Sequence, residues 1–416
     1  MYLRCSDERC ATKLELHERV LACPKCGDLL EVAAGPLMFS PQVLKDLWWN
    51  RRCSRDPRDR SGVWRFREFL PEYPPRDIVT MGEGNVPLVP GIKSGAWAAL
   101  SDIRFKHLGW NPTACFKDLG MTVGVTEARF QGARTVACAS TGNTAGSMAA
   151  YAARAGIAAR VYLPSGAVSP NKVAQALDYG AEIVEVEGSF DRALETVLHE
   201  AGRDVYFLNS INPFRIEGQK TVMFELLEEL GWHPPDYIVV PGGNLGNTAA
   251  FGKALYELKT AGLIDKVPRL VVVQAEGANP LVRTWRAGSD ELLVVSEPRT
   301  AATAIRIGAP VSWKKALKVL RFTNGLAIDV TDDEIAEAKS VIGRDGIGCE
   351  PASATTLAGA RKLAREGTVH RDASVVAILT GHVLKDTDYI TRSRYTRALS
   401  AAEGTAVRST AEVQAD

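Results

Sequence analysis

The sequence predicts an α/β protein built from two parallel-sheet domains, with a small cysteine-bearing module in front of them. Three observations carry this expectation. Short apolar runs of strand length alternate with alanine-rich or amphipathic runs of helix length through most of the chain. Polar or glycine-rich loops stand at the junctions where strand-like runs pass into helix-like ones. Four of the eight cysteines fall within the first 26 residues.

Taken in order, strands are expected over Asp102 to Phe105, Thr135 to Ala139, Ala159 to Leu163, Glu182 to Val186, Val205 to Leu208, Tyr237 to Val240, Leu270 to Gln274 and Ser374 to Ile378. Helices are expected over Met121 to Ala128, Ala145 to Ala155, Asn171 to Tyr179, Phe190 to Glu200, Gly218 to Leu230 and Thr248 to Ala261. Such alternation implies parallel strands covered on both faces, with ligands held by loops at the strand C-termini. Gly35 to Pro75 reads as a linker with packing helices, its Trp48 and Trp49 pair belonging to a core or an interface. No internal repeat is evident. The segment from Tyr395 to Asp416 is rich in Ala, Thr, Ser, Arg and Glu, the composition of a frayed or disordered tail.

The chain has 416 residues, 46% of them hydrophobic, enough for a large core and at least two domains. A net charge of +1 without a basic tract argues against a nucleic-acid surface. No run of roughly 18 apolar residues is present, so no membrane-spanning helix is expected. Met1 to Cys5 lacks the layout of a signal peptide, and a cytoplasmic protein is expected. Eight cysteines are too sparse for a disulfide scaffold, and their clustering suggests metal in a reducing compartment. Cys5-x4-Cys10 and Cys23-x2-Cys26 lie on either side of a strand-like stretch, Lys13 to Val20. Four thiolates would close a tetrahedral zinc site with no open position, which makes such a site structural; four free thiols are the alternative.

Asn111 to Gly120 (Asn-Pro-Thr-Ala-Cys-Phe-Lys-Asp-Leu-Gly) sits between a strand and a helix. A lysine at a turn is ordinarily solvated. Lys117 is instead flanked by Cys115, Phe116, Leu119 and Met121, and a desolvated lysine has a depressed pKa and can form a Schiff base with a carbonyl. Ser140-Thr141-Gly142-Asn143-Thr144 joins a strand end to a helix N-terminus, where amides and hydroxyls suit a carboxylate; an ordinary N-cap is the alternative. Gly242-Gly243-Asn244-Leu245-Gly246-Asn247 lets backbone amides approach an anion closely.

Lysine, Asn-bearing loop and glycine-rich anion loop, in that order, resemble the pyridoxal-phosphate enzymes of the tryptophan-synthase β-type fold (fold type II). The motif wording is most similar to the threonine synthases. Met81 to Leu88, Asn209 to Thr221, Thr300 to Trp313, Cys349 to Ala354 and Leu379 to His382 extend that likeness over roughly residues 82–386. Some members carry a zinc ribbon at the N-terminus, which agrees with Cys5, Cys10, Cys23 and Cys26. The resemblance implies Lys117 as the Schiff-base lysine, Asn143 at the cofactor's phenolic oxygen, Gly242 to Asn247 as the cofactor's phosphate cup and Thr380 at the pyridine nitrogen. It implies a substrate carboxylate on Ser140, Thr141 and Thr144, and a substrate phosphate on Asn209, Ser210 and Arg215. The implied reaction converts O-phospho-L-homoserine and water into L-threonine and phosphate. Expected domains are a zinc-ribbon-like module over 1–35, a large cofactor-binding domain from 36–123 and 210–390, a smaller α/β domain over 124–209, and the tail over 391–416. No nucleic-acid or membrane partner is expected, and a homodimer is left open. Cys115, Leu119 and Val86 depart from the serine, arginine and threonine usual in the family. Rival readings are a threonine/serine dehydratase or β-replacing synthase of the same fold, and an inactive zinc-ribbon regulatory relative.

Overall fold

The computed structural model describes residues 1–35, 38–140, 142–165, 170–188, 192, 196 and 204–390. Thr141, most of the helix expected over Phe190 to Glu200, and the 391–416 tail lie outside the described residues. The strands are β1 (Tyr2–Cys5), β2 (Lys13–Leu14), β3 (Leu30–Ala33), β4 (Leu88–Pro90), β5 (Asp102–His107), β6 (Thr135–Ala139), β7 (Ala158–Pro164), β8 (Glu182–Val186), β9 (Val205–Phe207), β10 (Tyr237–Pro241), β11 (Arg269–Ala275), β12 (Leu326–Val330) and β13 (Ser374–Leu379).

They form three sheets. A six-stranded sheet has the order β12-β11-β10-β13-β5-β4, parallel throughout except for the edge pair β4–β5. A four-stranded parallel sheet has the order β8-β7-β6-β9. The N-terminal module is a small antiparallel sheet, β2-β1-β3. Runs such as Ile238-Val239-Val240 and Leu270 to Val273 are buried on both faces, as parallel strands sandwiched between helices must be.

Helices cover those faces. α1 (Pro41–Arg52) and α2 (Pro57–Arg60) precede β4, α3 (Ile92–Ala98) follows it, and α4 (Lys117–Phe130) follows β5. α5 (Asn143–Ala155), α6 (Pro170–Asp178), α7 (Pro213–Glu229) and α8 (Gly246–Thr260) follow β6, β7, β9 and β10. α9 (Pro280–Arg286) and α10 (Trp313–Phe322) lie between β11 and β12, and α11 (Asp332–Arg344) and α12 (Pro351–Arg365) between β12 and β13. The N-caps follow local chemistry. Asn212 accepts from the amides of Phe214 and Arg215 with Pro213 at the first helical position, and Thr331 with Glu334 closes a capping box.

Two expectations change. The stretch from Lys13 to Val20 is strand only at Lys13 and Leu14, because the chain then turns to seat His17 and Arg19 on α4: His17 Nδ1 lies 3.0 Å from the Glu127 carboxylate, and Arg19 donates to Gln131. The region expected as part linker is packing structure. Trp48, Trp64, Phe66 and Phe69 are buried with Phe224 of α7, whereas Trp49 is exposed. Leu3, Cys5, Leu30 and Val32 join that same core, so the N-terminal module is seated on the large sheet's helices. Among the described residues, no helix is long and apolar enough to cross a membrane.

Candidate active site

Lys117 is the first residue of α4, half-buried, with its ammonium 4.2 Å from the centre of the Phe116 ring. The turn before it is held from behind by Asp118. That carboxylate accepts from the Thr113 amide (2.7 Å), the Thr113 hydroxyl (2.5 Å) and the Ser147 hydroxyl of α5 (2.5 Å). Burial pushes Asp118 up to about 6, against the pull of those donors. Burial, reinforced by the neighbouring Arg215 charge, brings Lys117 down to about 8, while Cys115 and Glu350 pull weakly the other way.

An ordinary lysine titrates near 10.4; one at about 8 is a nucleophilic amine over a useful range. Capture of an added aldehyde by the Lys117 amine should therefore accelerate as pH rises through about 8 and then level off. Stopped-flow absorbance measures this directly. A rate that keeps climbing to about pH 10 would show an unperturbed lysine.

Three loops converge on Lys117. The Phe116 amide donates to the Thr380 carbonyl (2.9 Å), and Cys115 bridges Gly381, so the loop after β13 lies against the lysine turn. The Cys115 thiol lies 3.8 Å from the Asn143 carbonyl, which brings in the loop after β6. Between them stands Glu350. Its carboxylate accepts from Asn143 Nδ2 (3.0 Å) and from the Thr380 hydroxyl (3.0 Å), and Thr380 also meets Ser353 Oγ at 3.0 Å. Glu350 occupies the N-cap position of α12 but does not cap it; burial raises its pKa against the bonds from Asn143 and Thr380. Sequence reasoning gave this residue no role. The available signal was a carboxylate directly before a proline-started helix, which ordinarily reads as a cap.

The glycine-rich loop follows β10 and opens α8, whose N-terminus has no side-chain cap. A Cβ at Gly242 would lie 2.7 Å from Val272 Cγ1 and 2.9 Å from Gln274 Cγ, and Leu245 turns the chain with φ +63°. The two asparagines shape the loop: Asn244 Oδ1 accepts from the Val311 amide (2.7 Å), and Asn247 Nδ2 donates to the Pro241 carbonyl (2.9 Å). The Gly242 amide donates to the Val273 carbonyl (2.7 Å) and the Thr248 amide to Asn247 Oδ1 (2.9 Å), so the amides of residues 243–247, at the positive end of a 15-residue helix, form the anion cradle.

Arg215 is 2% exposed on the first turn of α7. Its Nη1 donates to the Leu208 carbonyl (3.1 Å), and Nε has no partner. Among the described residues no carboxylate pairs with it. Burial lowers it to about 10, so it stays charged at neutral pH. Its position follows from a close helix crossing: a Cβ at Gly120 would lie 2.9 Å from the Arg215 carbonyl, and one at Gly218 would overlap the Leu119 carbonyl.

The other expected residues that are described stand just after β6 and β9. Ser140 Oγ accepts from the Gly142 amide (3.3 Å), Thr144 is half-buried on the first turn of α5, and Ser210 is half-buried beside Asn209. Asn209 clasps the end of β6, accepting from the Ala139 amide (2.9 Å) and donating to its carbonyl (3.2 Å). The departures have packing explanations. Leu119 is core, and Val86 offers its amide to Glu225 (2.9 Å) while its side chain is buried. Burial raises the Cys115 thiol to about 11, so it is neutral. His382 Nδ1 accepts from the Leu384 amide (3.3 Å), the role of a loop residue.

In the N-terminal module the four sulfurs lie within 4.8 Å of one another, Cys5 to Cys26 at 3.4 Å and Cys10 to Cys23 at 3.6 Å. Zinc–sulfur bonds of about 2.3 Å in a tetrahedron put sulfurs about 3.8 Å apart, so this set fits a zinc ion.

A half-buried lysine with a depressed pKa, a glycine cup on a helix N-terminus and loops gathered at the C-terminal edges of parallel strands define a pyridoxal-phosphate enzyme. A family model described as pyridoxal-phosphate dependent enzyme matches residues 79–381. Threonine synthase from Methanocaldococcus jannaschii is 43% identical over 388 residues, covering 92% of this chain and 93% of its own. Threonine synthase from Methanosarcina acetivorans is 42% identical over 389 residues, covering 92% of each chain. The crystal structure of threonine synthase from Escherichia coli superposes with a TM-score of 0.70 at 18% identity, covering 94% of this chain and 91% of that one, a likeness of fold. The chain belongs to the threonine synthase family of pyridoxal-phosphate dependent enzymes.

Proposed function

We propose that the protein converts O-phospho-L-homoserine and water into L-threonine and phosphate, as a cytoplasmic lyase, using the residues gathered around Lys117. The observation that carries the choice of substrate is Arg215, a buried cation without a carboxylate partner beside the lysine. An uncompensated buried charge is costly, so such a residue calls for an anion from outside the protein. A phosphate on the substrate's γ-carbon supplies it. Serine-sized substrates do not.

Bound pyridoxal phosphate supplies the electron sink for negative charge at Cα and Cβ. The chain's residues do the rest. The glycine cup would hold the cofactor phosphate; Asn143 would serve the phenolic oxygen and Thr380 the pyridine nitrogen, exchanging the bonds that both now donate to Glu350. Ser140 and Thr144 would orient the substrate carboxylate at the N-terminus of α5, and Thr141, outside the described residues, is assigned the same role by the resemblance alone. Lys117 Nζ takes the proton from Cα and then one from Cβ. Arg215, with Ser210 and the remaining N–H of Asn209, holds the phosphate as it leaves Cγ. Protons return to Cγ and Cα, water adds at Cβ, and the departing phosphate helps to activate that water. The test is an assay on O-phosphohomoserine. Threonine and free phosphate should appear in equal amounts, and threonine alone should give no 2-oxobutyrate. Release of 2-oxobutyrate would favour the dehydratase reading.

The four cysteines hold zinc in a closed structural site on this reading. Lysines from the helices of the large sheet support the module that carries them: Lys253 and Lys315 donate to the Val32 and Leu30 carbonyls, and Lys314 pairs with Asp28 at 2.7 Å. Cys23→Ser should lower Tm by roughly 5–10 °C, with turnover retained while the fold persists. Differential scanning calorimetry and metal analysis check it. Protein carrying no zinc and four titratable thiols would overturn the assignment.

A further inference from the structure

Two buried polar side chains beside the glycine cup have no role in the reaction as described. Thr248, on the first turn of α8, is fully buried, and its hydroxyl has no hydrogen-bond partner among the described residues. Gln219, one turn after Arg215 on α7, is 3% exposed, and its Oε1 likewise has no partner. The Gln219 side chain runs between two glycines. A Cβ at Gly120 would lie 2.9 Å from its Nε2, and one at Gly246 would lie 4.0 Å from its Oε1. It therefore reaches from the lysine helix to the mouth of the cup, and only the missing side chain at Gly120 leaves it room.

Leaving buried polar atoms unsatisfied costs about 1–3 kcal/mol each. Two such atoms at one helix N-terminus signal a ligand rather than two independent packing faults. A half-turn of the Gln219 amide exchanges its oxygen and nitrogen and directs an N–H donor toward the cup. The Thr248 hydroxyl is a free rotor that can donate or accept. We infer that Gln219 and Thr248 are side-chain ligands of the cofactor phosphate, completing a cup otherwise made of backbone amides and selecting the phosphorylated cofactor over pyridoxal. Arg215 is left for the substrate phosphate, so adjacent turns of α7 serve two different anions. The inference rests on reading Gly242 to Asn247 as the cofactor phosphate cup.

The test is equilibrium binding of pyridoxal 5'-phosphate and of pyridoxal to apoenzyme, followed by absorbance. Wild type should strongly prefer the phosphorylated form. Gln219→Glu places a carboxylate against the phosphate and should weaken pyridoxal 5'-phosphate binding at least tenfold while changing pyridoxal binding less than twofold. Gln219→Met, which keeps the volume and removes the donor, is the second variant should a buried carboxylate prevent folding; Thr248→Val should act in the same direction. Equal loss for both cofactors would mean a packing role and overturn the inference. So would unchanged pyridoxal 5'-phosphate affinity with a raised KM for O-phosphohomoserine, which would move Gln219 to the substrate. A wild-type enzyme that binds the two cofactors equally would instead refute the cup itself.

Discussion

Lys117→Ala should abolish covalent attachment of the cofactor and reduce kcat by at least about 10³-fold. Two functions are lost together. The amine is the anchor, and in the reaction proposed above it is also the base at Cα and Cβ. A positioned general base contributes typically 10²–10⁴-fold by itself, and the loss of the nucleophile adds to that. The remaining site should still bind pyridoxal phosphate, because the glycine cup and the Thr380 loop do not depend on the lysine side chain. Borohydride treatment followed by peptide mapping gives the decisive readout. Wild type should carry the reduced pyridoxyl group on Lys117 and the variant should carry none. Label on another lysine would refute the assignment. Ammonia or small amines should restore part of the activity, since they replace a proton acceptor without replacing packing.

Arg215→Ala should lower kcat/KM for O-phosphohomoserine by roughly 10- to 150-fold, corresponding to a charge-assisted hydrogen bond worth about 1.5–3 kcal/mol. The cofactor spectrum should be unchanged, because α8 and its cup remain. Arg215→Lys should recover little, since a compact ammonium cannot reproduce the planar fork that meets two phosphate oxygens at once. The substitution also removes a positive charge from the neighbourhood of Lys117, where it lowers the amine's pKa. The Lys117 pKa should therefore rise, and aldehyde capture should shift to higher pH. That shift separates loss of a charge from mere loss of packing. Unchanged kcat/KM would remove the main physical support for a phosphorylated substrate.

Much of the fold was legible because its signals are local. A run such as Tyr237 to Pro241, followed by glycines and then by a helix-forming stretch, announces strand, loop and helix within about twenty residues, and the structure places β10, the cup and α8 there. The same holds for β5, the Asn111 to Phe116 turn and α4, and for β6 and α5. Helix starts were less legible. α7 begins at Pro213, where the sequence suggested Gly218, because the Asn212 cap and Pro213 extend the helix past its apolar pattern. Neither the strands β4 and β12 nor the helices between β11 and β13 are among the elements expected from the sequence, although α10 and α11 each bury one apolar face and expose a polar one.

Local pattern does not decide which loops meet. Glu350 lies 207 residues from Asn143 along the chain, and only the meeting of loops from the two larger sheets at Cys115, which bridges Gly381 and lies 3.8 Å from the Asn143 carbonyl, brings its carboxylate between Asn143 and Thr380. In sequence, Gln219 is an ordinary polar helix residue; the Gly120 and Gly218 crossing buries it beside the cup. Cysteine spacing suggested a metal site, and folding of β1 against β3 brought the four sulfurs to zinc-like separations. Residue types and local order establish which chemistry this chain can carry, because a lysine, a cup of glycines and an arginine are recognisable one at a time. Burial, charge pairing and distance between loops are sums over the whole packed molecule. They convert a lysine into an amine with a pKa of about 8 and an arginine into a cation that meets no carboxylate among the described residues.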